Sequence, residues 1–451
     1  MRYKKEKKTF KIFTLGCKVN QWESAYIASS LEDMGWKPTS LDAPCTLAIV
    51  NTCIVTQKAA HQSRQAIRKM IRENPNAMVV VTGCYAQVYP QELRDIPGVG
   101  GVVGNTWKHL IPSLIREGRF TEKSVCLVSP FDKRGALEPL LVRRFMGRTR
   151  AYLKIQDGCE AFCSYCIVPK GRGPYRSLEP AHVISMLEAL AAEGFREVVL
   201  TGIHLGKYGV DLQAPISLVG LLHRIGERRF PLRIRLSSVE PGEVTEELID
   251  LVGSESWLCR HFHIPLQSGD RGILEKMNRN YTPQDYEALI RMIRTRIPLA
   301  AIGADVMIGF PGETDMAFRH TYDFVSNIPI SYLHVFPFSP RQGTPAAFFP
   351  GQVPPHVAKQ RGSALRRLGQ KKREDFMKSC LGKEFEILVE GWSSRNAGLM
   401  QGLTDNYLRV QFSATHCQEG DLITLTLAQH HLVSPVAISD QDTSTKAEMS
   451  L

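Results

Sequence analysis

Apolar runs of strand length, each followed by a stretch with helical spacing, recur along most of the chain. Residues 9–15, 47–51 and 78–82 read as strands, with helices predicted over 23–34 and 59–72. Strands alternating with helices predict a parallel α/β sheet. Residues 130–144 have mixed charge and weak periodicity and read as a connector. The rhythm then resumes. Strands are predicted at 151–156, 197–201, 233–237, 262–265, 301–308 and 332–337, with helices over 181–193, 245–252, 283–295 and 315–326. Six such units fit an open (β/α)6 barrel, where sites collect at the C-terminal ends of the strands. After residue 380 the period shortens. Runs at 385–390, 407–412 and 422–427, punctuated by Gly398, Gly402 and Gly420, suggest a small β-barrel. Residues 440–451 are polar and read as a frayed end. The expected fold class is therefore α/β, with domains at 8–128, 145–375 and 378–437.

Composition adds three points. A chain of 451 residues exceeds one ordinary core, which agrees with several domains. The net charge of +11 suits a polyanionic partner, nucleic acid first, although a merely basic soluble protein would look the same. Residues 359–378 concentrate Lys359, Arg361, Arg366, Arg367, Lys371, Lys372, Arg373 and Lys378 against Glu374 and Asp375, and read as one exposed cationic helix. The apolar runs are too short to span a membrane, and no apolar signal core follows the basic start, so a cytoplasmic location is expected. In that reducing compartment, 11 cysteines point to metal binding or catalysis rather than disulfides.

The densest cysteine cluster is Gly158-Cys159-Glu160-Ala161-Phe162-Cys163-Ser164-Tyr165-Cys166, directly after a predicted strand. Three thiolates this close can wrap three corners of an iron–sulfur cube and leave the fourth iron open for a reacting ligand. Zinc sites prefer paired ligands, and no second pair is adjacent. This run resembles the signature of the radical S-adenosylmethionine (SAM) superfamily, including the aromatic Tyr165. The resemblance implies that Cys159, Cys163 and Cys166 hold a 4Fe–4S cluster whose open iron chelates SAM. One electron then splits SAM to methionine and a 5′-deoxyadenosyl radical, with Tyr165 near the adenine. Thr201 and Gly202 end the second barrel strand, where the superfamily binds the SAM amino group. Ser238 and Glu240 follow the third strand. Gly309 lies in a glycine-punctuated strand end that lets backbone approach a ligand; an ordinary β-to-α turn is the plainer alternative.

Cys17, Cys53 and Cys84 each follow one of the first three predicted strands. The C-terminal ends of parallel strands converge on one edge, so residues far apart in sequence can meet there. Buried inert cysteine is the alternative for any one of them, but three equivalent placements favour a second cluster. Cys45, Cys126, Cys259, Cys380 and Cys417 lack this context and read as packing residues.

These segments resemble the N-terminal domain of the methylthiotransferase family, over roughly residues 8–435. The resemblance implies a second 4Fe–4S cluster on Cys17, Cys53 and Cys84, and a C-terminal RNA-binding TRAM domain. Leu15-Gly16-Cys17-Lys18-Val19-Asn20-Gln21 is most similar to the bacterial enzymes acting on N6-threonylcarbamoyladenosine at tRNA position 37. His263-Ile264-Pro265-Leu266-Gln267-Ser268-Gly269 and Phe338-Ser339-Pro340-Arg341-Gln342-Gly343-Thr344 are also similar to the family. The implied reaction uses one SAM to methylate cluster-associated sulfur and a second to generate the radical. The radical removes hydrogen from C2 of the base, and the methylthio group replaces it. Implied partners are the tRNA anticodon loop with adenosine 37, a reductant protein such as flavodoxin or ferredoxin, and a sulfur donor not identifiable from sequence. The alternatives are the same chemistry on isopentenyladenosine tRNA or ribosomal protein S12, a non-catalytic iron–sulfur RNA-binding protein, and zinc sites.

Overall fold

The computed structural model describes residues 8–432, apart from 41, 121–124, 133–134, 143–144, 146–147, 394–395, 397 and 414–416. The expected frayed end at 440–451 lies outside the described residues. None of the described helices is long and apolar enough to cross a membrane.

The N-terminal sheet is parallel throughout, in the order Lys37–Pro38, Thr9–Thr14, Leu47–Thr52, Met78–Gly83, Gly101–Val103 and Val125–Leu127. Its central strands are apolar on both faces because helices cover both. The helix expected at 23–34 begins earlier, spanning Lys18–Asp33 with Cys17 as its N-cap. Lys18, Asn20 and Gln21 broke the apolar pattern and hid this start; Asn20 donates to the Leu15 and Thr52 carbonyls. Cys126, read as a packing residue, is instead exposed on the edge strand Val125–Leu127. An edge strand has neighbours on one side only, so it need not bury its side chains.

The described residues between 128 and 149 carry no regular secondary structure and lead to the central region. There, Arg150–Lys154, Glu197–Thr201 and Arg233–Leu236 form one parallel sheet, and His261–His263, Ala301–Ile308 and Tyr332–Pro337 form another. A parallel bridge between Ile234 and Leu258 links the two, so six strands neighbour one another in chain order. One apolar core lies between these strands and their helices. Thr245, Thr282 and Thr314 cap three of those helices by accepting a backbone N–H.

Helix Pro355–Ser379 packs on the last of these strands, where a Cβ on Gly369 would meet Leu333 at 2.9 Å. It is the expected basic helix with one correction. Arg361 is buried, bound to Glu313 at 2.6 Å and Asp315 at 2.7 Å, so it is structural and not part of a cationic surface. Finally, Arg409–Ser413, Leu399–Thr404, Glu384–Trp392 and Leu422–Thr426 form an antiparallel sheet in that order. Glu197 holds both Arg233 and Arg235 at 2.8 Å. Their remaining N–H groups donate to the carbonyls of Glu386, Leu403, Thr404 and Asp405, which docks this sheet under the N-terminal strand ends. These ions are buried but fully partnered, the condition under which burial of charge is tolerated.

Candidate functional site

Three cysteines stand at the C-terminal edge of the N-terminal sheet. Cys17 caps its helix with extended backbone and no side-chain cap bond. Cys53 follows Leu47–Thr52; its N–H donates to Ser63 Oγ at 3.2 Å, and that hydroxyl donates back to the Cys53 carbonyl at 3.0 Å. Cys84 opens the short helix Cys84–Val88 after Gly83. Gly83 has φ +100°, and a Cβ there would lie 2.3 Å from the Thr52 carbonyl oxygen, so only glycine fits this turn. A Cβ on Gly16 would sit 3.0 Å from Cys53 Sγ, which brings the first two strand ends together. Burial, then the neighbouring Cys84 charge, pushes the Cys53 thiol up to about 12. Cys17 is exposed at its edge, and the protein crowded around it raises its thiol while Arg172 pulls it down.

The second trio lies on the loop after Arg150–Lys154. Gly158 has φ +81°, and a Cβ there would collide with the Pro174 carbonyl at 1.6 Å. Cys159 donates its N–H to the Gly173 carbonyl, and Cys159 Sγ lies 3.3 Å from His204 Nδ1. His204 Nε2 is in turn 2.7 Å from Glu243 Oε1. Arg279 Nη1 reaches Cys163 Sγ at 3.5 Å while the same guanidinium pairs with Glu240. Burial pushes Cys166 up to about 12.

The two trios are joined by one buried cation. Helix Val168–Arg172 starts two residues after Cys166 and carries Arg172 to 3.2 Å from Cys84 Sγ. Arg172 also donates to Asn20 and to Glu23 at 2.6 Å. Glu23 further binds Lys108 at 2.5 Å and Lys154 at 3.0 Å; Asp157 binds Lys154 at 3.1 Å and Arg172 at 3.3 Å. Burial alone would raise the Glu23 carboxyl, but these cations outweigh it and hold it well below the usual range. Sequence reasoning missed Arg172, Asn20, Glu23, Lys154, Asp157, His204 and Arg279. Their partners are up to 152 residues away along the chain, as for Arg172 and Asn20, and although Asn20 lies in the Leu15–Gln21 motif, nothing local gave it a role.

The other sequence-derived residues fall as follows. Tyr165 meets Phe310 edge-on at 6.5 Å in an apolar patch with Met307 and Phe338. Thr201 is buried at its strand end, and a Cβ on Gly202 would press on Gln156 Oε1 at 2.9 Å. Ser238 is exposed, whereas neighbouring Ser237 is buried with no partner for its Oγ among the described residues. Glu240 pairs with Arg279 beside Cys163. Gly309, at φ +73°, faces Ala358 of the long helix and donates to Glu313 at 3.0 Å, directly before the Phe310 that Tyr165 meets.

The donor set discriminates between metals. Among the described residues, only His263, Asp305 and His334 have three candidate ligand atoms all within 4.8 Å of one another. Neither cysteine trio is that tight. One zinc ion would hold its thiolates about 3.8 Å apart, from Zn–S distances of about 2.3 Å. Three cysteine thiolates are the donor type that iron–sulfur clusters take. Desolvated thiols beside cations would be ionised by binding such a group.

A parallel α/β architecture with a three-cysteine loop at a strand end defines a radical SAM protein. The Radical SAM superfamily model matches residues 153–325, and a model described as uncharacterized protein family UPF0004 matches 9–104. A radical SAM methyltransferase, TsrM from Kitasatospora setae, shares the fold at TM-score 0.55 and 21% identity, over 79% of this chain and 78% of its own. The threonylcarbamoyladenosine tRNA methylthiotransferase MtaB of Bacillus subtilis is 36% identical over 93% of this chain and 93% of its own. That of Aquifex aeolicus is 40% identical over 83% and 91%. A tRNA-2-methylthio-N(6)-dimethylallyladenosine synthase from Moorella thermoacetica is 33% identical over 94% and 97%. The chain belongs to the radical SAM methylthiotransferase family, and its cofactors are SAM and two 4Fe–4S clusters.

Proposed function

We infer that the protein converts N6-threonylcarbamoyladenosine at position 37 of tRNA to its 2-methylthio derivative. Relatives named for threonylcarbamoyladenosine are 34–40% identical, those named for dimethylallyladenosine 32–34%, and the two highest identities over most of the chain belong to the first group. The reading assigns residues 8–128 to a cluster-binding domain, 145–375 to an open (β/α)6 barrel, and 378–437 to a TRAM-like RNA-binding domain. Cys17, Cys53 and Cys84 hold one cluster. Cys159, Cys163 and Cys166 hold the other. Tyr165, Thr201, Gly202, Ser238, Glu240 and Gly309 serve SAM.

The observation that carries this is Arg172, which ties the helix leaving one cysteine trio to the thiol of the other. Two centres that must act on one base have to face a single space. When bound, the barrel cluster supplies the electron that cleaves SAM, and the N-terminal cluster supplies the site for sulfur. The chain's own residues hold and orient. Arg172 and Arg279 each bring positive charge to a thiol, which favours the thiolate needed for metal binding. His204 positions Cys159 and is itself oriented by Glu243. The apolar patch around Tyr165 and Phe310 excludes water beside the loop.

The base would be turned out of its anticodon loop, since RNA is read mainly at unstacked bases. A flavodoxin- or ferredoxin-type protein supplies electrons, and the location is cytoplasmic. The test is nucleoside mass spectrometry of tRNA from cells carrying Cys163→Ala. Loss of the methylthio mass from threonylcarbamoyladenosine supports the reading. Loss from isopentenyladenosine instead reassigns the substrate, and persistence of both overturns the cluster assignment.

A further inference from the structure

The six central strands have an inner side, away from their helices. Val335 and Leu333 pack outward against the core and the long helix, so Tyr332, His334 and Phe336 point inward. Inward-pointing His334 and Phe336 are 51% and 44% exposed, so no described segment fully covers this side of the last strand. Asp305 pairs in register with His334, three residues short of the strand ends, about 10 Å below the level of the cysteine loop at about 3.3 Å per residue.

We propose that Lys18, His334 and Arg373, gathered around Tyr332 and Tyr407, form a pocket for the carboxylate of the substrate base, selecting an anionic N6 substituent over an apolar one. This rests on the methylthiotransferase reading above. Tyr407 stacks on His261 at 4.2 Å, and Tyr332 lies 5.9 Å from Tyr407 and 5.3 Å from His334. The Tyr332 hydroxyl bonds His261 at 2.7 Å and His263 at 3.1 Å, which fixes the rings. Tyr407 is held at φ +70°, a conformation that a bulky residue adopts only when its surroundings require it.

The charges here do not balance internally. Asp305 is taken by His263 at 3.0 Å and His334 at 3.2 Å; Glu197 is taken by Arg233 and Arg235, and Glu390 by Arg150. Lys18 and Arg373 have no carboxylate partner among the described residues. The His334 Nδ1 contact to Asp305 leaves Nε2 for a ligand. The local field is positive. Burial would raise the Tyr407 phenol, yet Lys18, Arg150, Arg235 and Arg409 pull it below its ordinary value. Arg373 lies within electrostatic reach of Arg409, Tyr407 and Tyr332. Lys18 directly follows Cys17, so the pocket adjoins the N-terminal cluster site. The anion that completes such a site is the carboxylate of a threonylcarbamoyl group; an isopentenyl group would leave the cations uncompensated.

The experiment uses reconstituted holoenzyme and three anticodon stem-loops carrying threonylcarbamoyladenosine, its methyl ester, or isopentenyladenosine. The wild type is expected to favour the acid over the ester by about tenfold or more in kcat/KM, since a hydrogen bond to a charged group is lost with the neutral ester. Lys18→Gln, His334→Ala and Arg373→Gln are each expected to bring that ratio towards one. Iron content and Tm are followed in parallel. If Lys18→Gln loses iron, His334→Ala and Arg373→Gln decide. Equal use of acid and ester by the wild type, or variants that slow both alike, overturns the pocket but leaves the reaction standing. Turnover of the isopentenyl substrate alone overturns the function reading and the pocket together.

Discussion

Arg172 has the most at stake of any single side chain. It is fully buried and partners Glu23, Asp157, Asn20 and Cys84 at once. Replacing it with Met leaves two buried carboxylates undercompensated. Arg172→Met is expected to cost about 3–5 kcal/mol, read as a lower urea midpoint, and to lower the iron bound at Cys17, Cys53 and Cys84. Glu197 gives a pH prediction. Burial would raise its carboxyl, but Arg235 and Arg233 bring it from 4.5 to about 2. A folded-state value below the unfolded one means stability present above pH 4.5 and lost as pH falls towards about 2. Apoprotein stability should therefore drop through that window in the wild type, by on the order of 3 kcal/mol, and drop less in Glu197→Gln. Acid titration monitored by fluorescence checks this. At this scale the sequence was eloquent about cysteine and nearly silent about its partners. Cys159, Cys163 and Cys166 are legible because their spacing is local. His204 and Arg279 are not, because nothing near them in the chain marks them as neighbours of those thiols.

Among the elements, the strands at 47–52, 78–83, 197–201 and 301–308 were readable almost to the residue, because buried parallel strands are largely apolar runs bounded by turns. The errors follow from the same logic. Leu399–Thr404 went unread since glycine and glutamine interrupt its pattern; Gly402 is needed there, as a Cβ would meet Ile387 at 2.5 Å. Gly101–Val103 and Val125–Leu127 are too short to show a period. The turns bearing cysteine carry the next prediction. At Gly158, a Cβ would overlap the Pro174 carbonyl, and φ is positive. Gly158→Ala is expected to destabilise by about 2 kcal/mol or more. It should also reduce bound iron by about half, one cluster of two. Iron and sulfide counts with a thermal melt test both effects, and full iron retention would show that the loop does not hold a cluster.

For the whole molecule, net charge and its distribution govern the RNA partner. Arg367 and Lys371 project from the exposed side of Pro355–Ser379. If that face grips phosphates, Arg367→Ala/Lys371→Ala weakens tRNA binding and lowers the slope of log affinity against log salt by about 1–2. A binding series across salt concentrations measures it, and an unchanged slope would remove this helix from the interface. The C-terminal sheet is fixed to the centre through Arg233 and Arg235.

What the chain alone determined was local: the apolar rhythm that sets strands and helices, the Cys-x3-Cys-x2-Cys spacing, and the cationic bias. These depend on neighbours within a turn or a strand, so they are written in order along the sequence. What the tertiary structure decided was nonlocal. It brought Arg172 between two cysteine trios, buried Arg361 in an expected basic surface, and left Lys18 and Arg373 without carboxylate partners among the described residues. Those outcomes depend on which strand ends converge and which charges lose their water, and only packing the whole chain settles that.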